Sequence, residues 1–462
     1  MHATSPALLL KRLLPLALLA AGPASAAVVF NFEGNGPVAR AMGGTGVAYD
    51  NGAAGLMYNP ATLGLAAAGG ELHLGLDWIS ADIEVRNRST GERALSTDNG
   101  KNRGPYFAPQ LGLVRRDGRL SFGLGLFAGS GGGDELGNRS FLSRTETFGI
   151  DTGLDNSARL FGLRLPLGLS WRVDERLTLG GSIDAVHTAL NFNALFDLSQ
   201  IGALAADGRV SGTLLPTLLL VPGLAGAHVS FTQRTVAGGG AEAWGVGGRV
   251  GLTYALSADT RLGLAYNFRT ANADLDGRGA ITAISAIVGQ IPLQGDVRVR
   301  DFEYPAQLSL GLHQRLGSQW SVAADYQRVY WKAAVRNLDL HFAEAGSGNT
   351  VDISLPQNYR DIGIYAVGLS YAPGGRYTLR VGAQHADRAL PRDTMLAVIP
   401  AIVRSHVAAG LSWRLDDRNR IDFAFSHGLR STLGNDSPPN TARPIEASHS
   451  QANAVLSYVR RL

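Results

Sequence analysis

From Glu71 onward the sequence repeats one pattern: roughly ten to fifteen residues of alternating apolar and polar side chains, then a connection that is by turns very short and long. Alternation with a period of two sends successive side chains to opposite faces of a strand. Leu262, Leu264, Tyr266 and Phe268 share one face, while Gly263, Ala265, Asn267 and Arg269 share the other. The same split recurs in Leu177, Leu179 and Ile183 against Ser182 and Asp184, and in Tyr377, Leu379 and Val381 against Thr378 and Arg380. A soluble sandwich also alternates, so the connections decide. Every second one is tight: Arg116-Asp117-Gly118, Asp174-Glu175, Ser257-Ala258, Gly317-Ser318, Pro373-Gly374-Gly375 and Asp416-Asp417. Those between are long, over 88–105, 131–158, 191–241, 273–296, 336–360, 387–402 and 430–445. Short turns on one side and long loops on the other are the asymmetry of outer-membrane barrels. The expected fold is all-β: a 14-stranded antiparallel transmembrane β-barrel over 71–462, with lipid on its apolar face and a polar lumen.

The first 26 residues read as a cleaved signal peptide, with Lys11 and Arg12, the apolar run Leu13 to Ala21, and the small-residue site Ala24-Ser25-Ala26. Beyond it no run of 18 apolar residues is free of a charge or a proline, so no membrane-spanning helix is expected. Charged residues make up 17% of the chain, against about 25% in average soluble domains. There is no cysteine, which removes a disulfide scaffold and thiol chemistry, and a net charge of +4 is too small at this length to suggest nucleic acid. The expected location is the bacterial outer membrane.

Residues 27–70 break the alternation. They are rich in Gly, Ala and Asn, with turns around Asp50-Asn51-Gly52 and Asn59-Pro60, and suit a compact piece lying inside the barrel. Fourteen strands enclose more space than their own side chains fill, because a barrel of about eight is already full. Val38-Ala39-Arg40-Ala41-Met42-Gly43-Gly44-Thr45-Gly46-Val47-Ala48, followed by Asn59-Pro60-Ala61-Thr62-Leu63, resembles the N-terminal hatch of the long-chain fatty acid transporter family (FadL-type), which includes aromatic hydrocarbon uptake proteins. Leu390-Pro391-Arg392-Asp393 through Ile399-Pro400-Ala401-Ile402, with Gly410-Leu411-Ser412-Trp413, is similar to the family's C-terminal pattern. The resemblance implies a hatch (plug) over 27–70 and a hydrophobic ligand in the lumen, released sideways through a kink in the third strand that the hatch asparagine reaches. Asn59, Pro60 and Ala61 match that motif, and Gly123 and Gly125, with Gly129 and Gly131, are where the third strand can kink.

The expected function is outer-membrane uptake of hydrophobic compounds, long-chain fatty acids first, with aromatic or aliphatic hydrocarbons, or a general polar-solute porin, as alternatives. Two expected loops, 191–241 and 273–296, carry apolar side chains including Leu218, Leu220, Ile284 and Ile287, which suit ligand capture. A carboxylate in an apolar lumen needs a cation. The strand phases turn Arg164, Arg249, Arg269 and Arg380 inward, with Asp184, Asp325 and Asp422 as internal partners. No Gly-x-Ser-x-Gly elbow occurs, and Ser405-His406 and Ser448-His449 are adjacent and so on opposite strand faces; no enzyme, cofactor or metal site is expected. The expected partners are a hydrophobic small molecule (fatty acid or hydrocarbon), outer-membrane lipid and lipopolysaccharide, and the barrel-assembly machinery, with no nucleic acid. Such barrels usually end in an aromatic residue; here Tyr458, ahead of Val459-Arg460-Arg461-Leu462, is expected to serve instead. No energy source is legible in the chain, so flux is expected to run downhill.

Overall fold

The structure, a computed structural model, describes residue 30 and residues 33–96, 106–233 and 238–462. The signal peptide expected over 1–26 lies outside the described residues. Strands form where the alternation lies: β1 (Gly69–Asn87), β2 (Arg93–Leu95), β3 (Tyr106–Asp117), β4 (Leu120–Gly137), β5 (Asn156–Arg172), β6 (Leu177–Asp197), β7 (Val210–Ser211), β8 (Leu224–Phe231), β9 (Ala241–Ala255), β10 (Thr260–Asn267) and β11 (Ala271–Asn272). They continue as β12 (Leu275–Ser285), β13 (Gly289–Arg300), β14 (Gln307–Leu316), β15 (Trp320–Val329), β16 (Asn337–Glu344), β17 (Thr350–Pro356), β18 (Ile362–Tyr371), β19 (Tyr377–Ala386), β20 (Ser405–Arg414), β21 (Asn419–Asn435) and β22 (Ile445–Arg461). Among the described residues no helix is long and apolar enough to cross a membrane.

All pairings are antiparallel within one sheet, and the sheet closes on itself because β1 pairs with both β3 and β22. The expected 14-stranded barrel is corrected on its strand count: the sheet holds 22 strands. Two physical causes separate the counts. Irregular residues cut single alternating stretches into pieces, as Phe268–Thr270 does between β10 and β11, and Pro305 sits in the break between β13 and β14. Segments expected to be loops also pair, since β8 joins β6 and β12, and β7 joins β17.

The two apolar loops are corrected in the same way. Within 191–241, β6 runs on to Asp197, followed by α2 (Leu198–Ala206), α3 (Leu215–Leu219) and β8. Within 273–296 lies the β12–β13 hairpin, register-matched from Leu275 with Val299 to Ser285 with Gly289. The apolar residues read there as loop surface serve largely as the inner face of a sheet, and Ile281 and Ile284 are buried.

The strand faces follow the sequence phase. Leu262, Leu264, Leu310, Leu379 and Val381 are exposed in outward rows, while Gly263 and Ala265 are buried inside. Trp320 stacks on Tyr371, its cross-strand partner, with ring centroids 4.1 Å apart at the tight-turn end, where Trp171, Tyr377 and Trp413 are also exposed. Such aromatic rows suit the boundary between hydrocarbon and headgroup.

Candidate functional site

Residues 33–66 contain α1 (Pro37–Ala41) and the 3₁₀ turns Gly52–Met57 and Pro60–Leu65, and nearly all of them are buried. The wall receives them through glycines. A Cβ at Gly263 would overlap Val47, one at Gly180 would overlap Pro60 and Ala61, and one at Gly382 would overlap Met42 and Gly43. Because these strands lie on different sides of the ring, the segment occupies its interior. Gly43 and Gly44 have φ of 69° and 86°, which L side chains rarely adopt, and this accounts for the Gly-Gly pair of the motif.

Three polar anchors fix the segment. Arg40 is fully buried, ion-paired with Asp77 of β1 and with Glu33 at 3.2 Å. Asp325 of β15 accepts the backbone N–H of Gly46 at 2.7 Å and of Val47 at 3.1 Å. Asn59 donates to the carbonyls of Val47 (2.8 Å) and of Leu252 on β9 (2.9 Å) and accepts from the Ala61 N–H, capping the second 3₁₀ turn. Asn59 thus reaches β9 rather than the kink in β4, and Pro60 and Ala61 lie against Gly180 of β6.

The wall is interrupted at β4. Its pairing with β3 runs from Asp117 opposite Leu120 to Gln110 opposite Phe127 and stops there. Among the described residues, Ala128 to Gly137 have no partner in β3. On the other side the β4–β5 ladder skips Gly125 and Leu126, which face Pro166 and Leu165, and shifts register between Ala128 and Ser130. Proline has no N–H to give to a ladder, and an extra residue opposite its partner bends a strand. The irregularity therefore centres on Gly129, beyond Gly123 and Gly125; Gly123 faces Leu63 and Leu56 of the inner segment, and Gly125 faces the Phe127 ring. The Gly131 N–H is satisfied by the Phe30 carbonyl at 2.8 Å.

Two cavities flank this stretch. One, of ≈490 Å³, is lined by Phe30, Gly132, Gly133, Leu160, Phe302 and Tyr359 among others, and among the described residues no Asp, Glu, His, Lys or Arg lines it. Phe30 stacks on Tyr359 (6.1 Å) and meets Trp331 edge-on (6.0 Å). The other, of ≈720 Å³, is lined by Gly129, Glu33, Tyr58, Arg164, Arg249 and Gln384 among others. There Arg164 and Arg249 share Asp184, at 3.1 and 2.5 Å, and Arg164 also lies over the Tyr304 ring. Asn35 Oδ1, Arg249 Nε, Asn267 Oδ1 and Gln384 Oε1 are buried without a hydrogen-bond partner among the described residues, so this cavity suits water or a polar group.

The other expected site residues are spread apart. Arg269 is ion-paired with Glu303 and half exposed, and Arg380 donates to Ser412 at 2.6 Å with no carboxylate within 4 Å among the described residues. Leu218 is partly buried and Ile284 fully so, while Leu220 (81%) and Ile287 (71%) are exposed with Leu219 and Val288. The two tips adjoin, because the Ala286 N–H binds the Gly223 carbonyl, and together they form an apolar patch. The sequence reading missed Trp331, Tyr359 and Phe30, since aromatics distant in sequence give no local signal of meeting. It also missed a Ser405–His385 hydrogen bond of 2.8 Å. Arg404 donates to His385 Nε2, so Nδ1 carries the proton and donates to Ser405. A general base needs the opposite arrangement.

A closed sheet with an apolar outer face, an internal segment and an interrupted wall strand defines an outer-membrane β-barrel channel. The sequence profile described as "Outer membrane protein transport protein (OMPP1/FadL/TodX)" matches residues 16–454, and the chain belongs to that family. The family and its structural neighbours are transport channels, not enzymes. The chain is similar to the Pseudomonas putida toluene transporter TodX, with 42% identity and a TM-score of 0.83 over 93% of this chain and 99% of that one. It is also similar to the Ralstonia pickettii toluene transporter TbuX, with 44% identity and a TM-score of 0.79 over the same shares. Among curated relatives, the Escherichia coli long-chain fatty acid transport protein is 24% identical over 90% of both chains. Haemophilus influenzae outer membrane protein P1 is 26% identical, and the match spans 60% of its length.

Proposed function

We propose that this channel takes up small apolar molecules, aromatic hydrocarbons above all, by downhill diffusion and releases them sideways into the bilayer. The observation that carries the reading is the uncharged, aromatic-lined cavity beside Gly132 and Gly133, next to the stretch of β4 that lacks a β3 partner. A hydrocarbon has no group to satisfy a charge, so its pocket must lack unpaired polar atoms. The names of the two toluene transporters above support the same cargo. In this reading the patch at Leu220 and Ile287 captures the ligand, residues 27–70 act as a hatch, and the gap beside β4 is the exit. Outer-membrane lipid receives the cargo, lipopolysaccharide surrounds the outer end, the assembly machinery inserts the barrel and the signal over 1–26 is removed. The buried internal segment opposes a general porin for polar solutes.

One observation favours long-chain fatty acids as a second reading: the polar cavity holds two cations, Arg164 and Arg249, on the single carboxylate of Asp184. Binding of toluene and of a long-chain fatty acid to the purified channel separates the two, with Arg164→Ala and Arg380→Ala as variants. The proposal expects saturable toluene binding indifferent to both changes. Fatty-acid binding that either change weakens, with no toluene binding, moves the protein to the second reading. Uptake should slow, with binding retained, when Gly131, which lies in the unpaired stretch of β4 but not on the cavity lining, is changed to Leu; unchanged uptake would remove the lateral exit.

A further inference from the structure

A third cavity, of ≈540 Å³, lies at the long-loop end and shares no lining residue with the other two. It is formed where the β4–β5, β19–β20 and β21–β22 connections meet the end of β6 and the start of α2. Leu142, Phe196, Leu396 and Val398 give it apolar walls.

Most of its polar side chains are already engaged. Asp197 accepts the N–H groups of Glu146, Thr147 and Ser199, and Gln200 binds the Asp197 N–H and the Pro439 carbonyl. Arg443 pairs with Glu146 at 2.6 Å and donates to the carbonyls of Phe141 and Arg144. Asn156 binds Ser143 and the Leu195 N–H, and the hydroxyls of Thr145 and Thr441 donate to nearby carbonyls. Asn440 differs. Its amide nitrogen donates to the carbonyls of Pro356 and Thr394 at 2.7 and 2.5 Å, which fixes the orientation of the amide. Its Oδ1 is then an acceptor without a partner among the described residues, on a residue that is 4% exposed. A buried acceptor left unsatisfied costs about 1–3 kcal/mol, so a ligand that supplies a donor is favoured there.

That requirement selects a chemistry. A hydrocarbon has no donor, and an ionised carboxylate only accepts. A hydroxyl donates to Asn440 Oδ1 and leaves its own oxygen to accept, for which Arg144, on the same lining, has donors beyond the Nη2 group that binds both carboxylate oxygens of Glu92 at 2.7 and 2.8 Å. We propose that this loop cavity is a second binding site, specific for a small apolar molecule bearing one hydroxyl, such as a phenol or aryl alcohol. The site is separate from the cavity assigned to hydrocarbon, so it stands whether or not that cargo is correct.

The test is calorimetric titration of the purified full chain with benzyl alcohol and, separately, toluene. Two variants attack the site in different ways: Asn440→Leu removes the acceptor, and Leu396→Trp fills the space while keeping the Asn440 side chain. Heat-modifiable migration in gels confirms that each barrel is folded. The expected result is saturable benzyl alcohol binding that both variants weaken by about 10-fold or more, with toluene affinity within about 2-fold of the parent. No saturable benzyl alcohol binding, affinity unchanged in Leu396→Trp, or a parallel loss of toluene affinity in both variants overturns the proposal.

Discussion

The cavity beside Gly132 and Gly133 and the cavity beside Gly129 lie a few residues apart along β4, and their linings differ at every matched position. Phe30 lines the first and Glu33 the second; Phe302 lines the first and Tyr304 the second, the two rings meeting edge-on at 5.9 Å. One offers dispersion contacts and no charge, the other two guanidiniums, a shared carboxylate and unsatisfied polar atoms. An apolar molecule in the first meets a steep desolvation cost toward the second and none toward the lipid beyond β4, because stripping buried polar groups of their partners is costly while hydrocarbon is not. In the proposed reading, this contrast between the cavities is what turns the path sideways.

The largest expected effect on ligand binding comes from erasing the contrast. Leu160 is buried on the apolar lining, and Leu160→Glu places a carboxylate there with no cation on the lining. Toluene binding to the refolded variant should fall by at least about 30-fold, or about 2 kcal/mol, since toluene cannot pair the charge. Affinity within a few-fold of the parent would place the hydrocarbon elsewhere in the barrel.

The second effect attacks the polar side from below. Arg40 holds two buried carboxylates, Glu33 and Asp77, and Arg40→Met leaves both without their cation. Breaking a buried pair in this way costs about 3–5 kcal/mol. The internal segment should become sensitive to protease while the barrel keeps its heat-modifiable migration. A segment that stays protected would show that Asp325 and Asn59 suffice to hold it.

Much of this was legible in the sequence, and the limits have physical causes. Period-two alternation exposed the wall and its lipid-facing rows, and the Gly-Gly-Thr-Gly and Asn-Pro-Ala stretches marked the internal segment. Strand count was not legible, because a hydrogen-bonded strand can break at Phe268–Thr270 without losing its overall phase, and the β12–β13 hairpin looks like an apolar loop when its partner strands are unknown. Arg164 and Arg249 were placed inward by phase, yet their common tie to Asp184 depends on the register of β5, β6 and β9. The bulge was expected at glycines and lies at one, but Pro166 on the neighbouring strand helps set where, and a single strand's sequence does not contain its neighbour.

A smaller effect tests the aromatic side. Tyr359 is buried against Phe30 and Trp331, with ring centroids 6.1 and 6.0 Å away. Tyr359→Leu keeps an apolar surface and removes both ring contacts. At about 0.5–1.5 kcal/mol per aromatic pair, toluene should bind about 3- to 10-fold more weakly, with less effect on an aliphatic hydrocarbon of similar size. Equal losses for both ligands would mean the cavity selects by volume alone.

The smallest effect near neutrality concerns the Glu33 anchor, which borders the polar cavity. Burial alone would raise the pKa of its carboxyl, but the charge of Arg40 and the donors on Ser426 and Asn453 outweigh that and hold it at about 2, below the ordinary 4.5. A carboxyl depressed on docking stabilises the docked state above its ordinary pKa, and that contribution is lost as pH falls toward the docked value. The contribution of Glu33 to protease protection of the internal segment, read as the difference between the parent and Glu33→Gln, should therefore be level from about pH 7 to about pH 5, then decline between 4.5 and about 2. Glu33→Gln should lack this decline, because the amide does not titrate. A decline that begins above pH 5 in the parent, and persists in Glu33→Gln, would assign the acid-sensitive anchor to a different group.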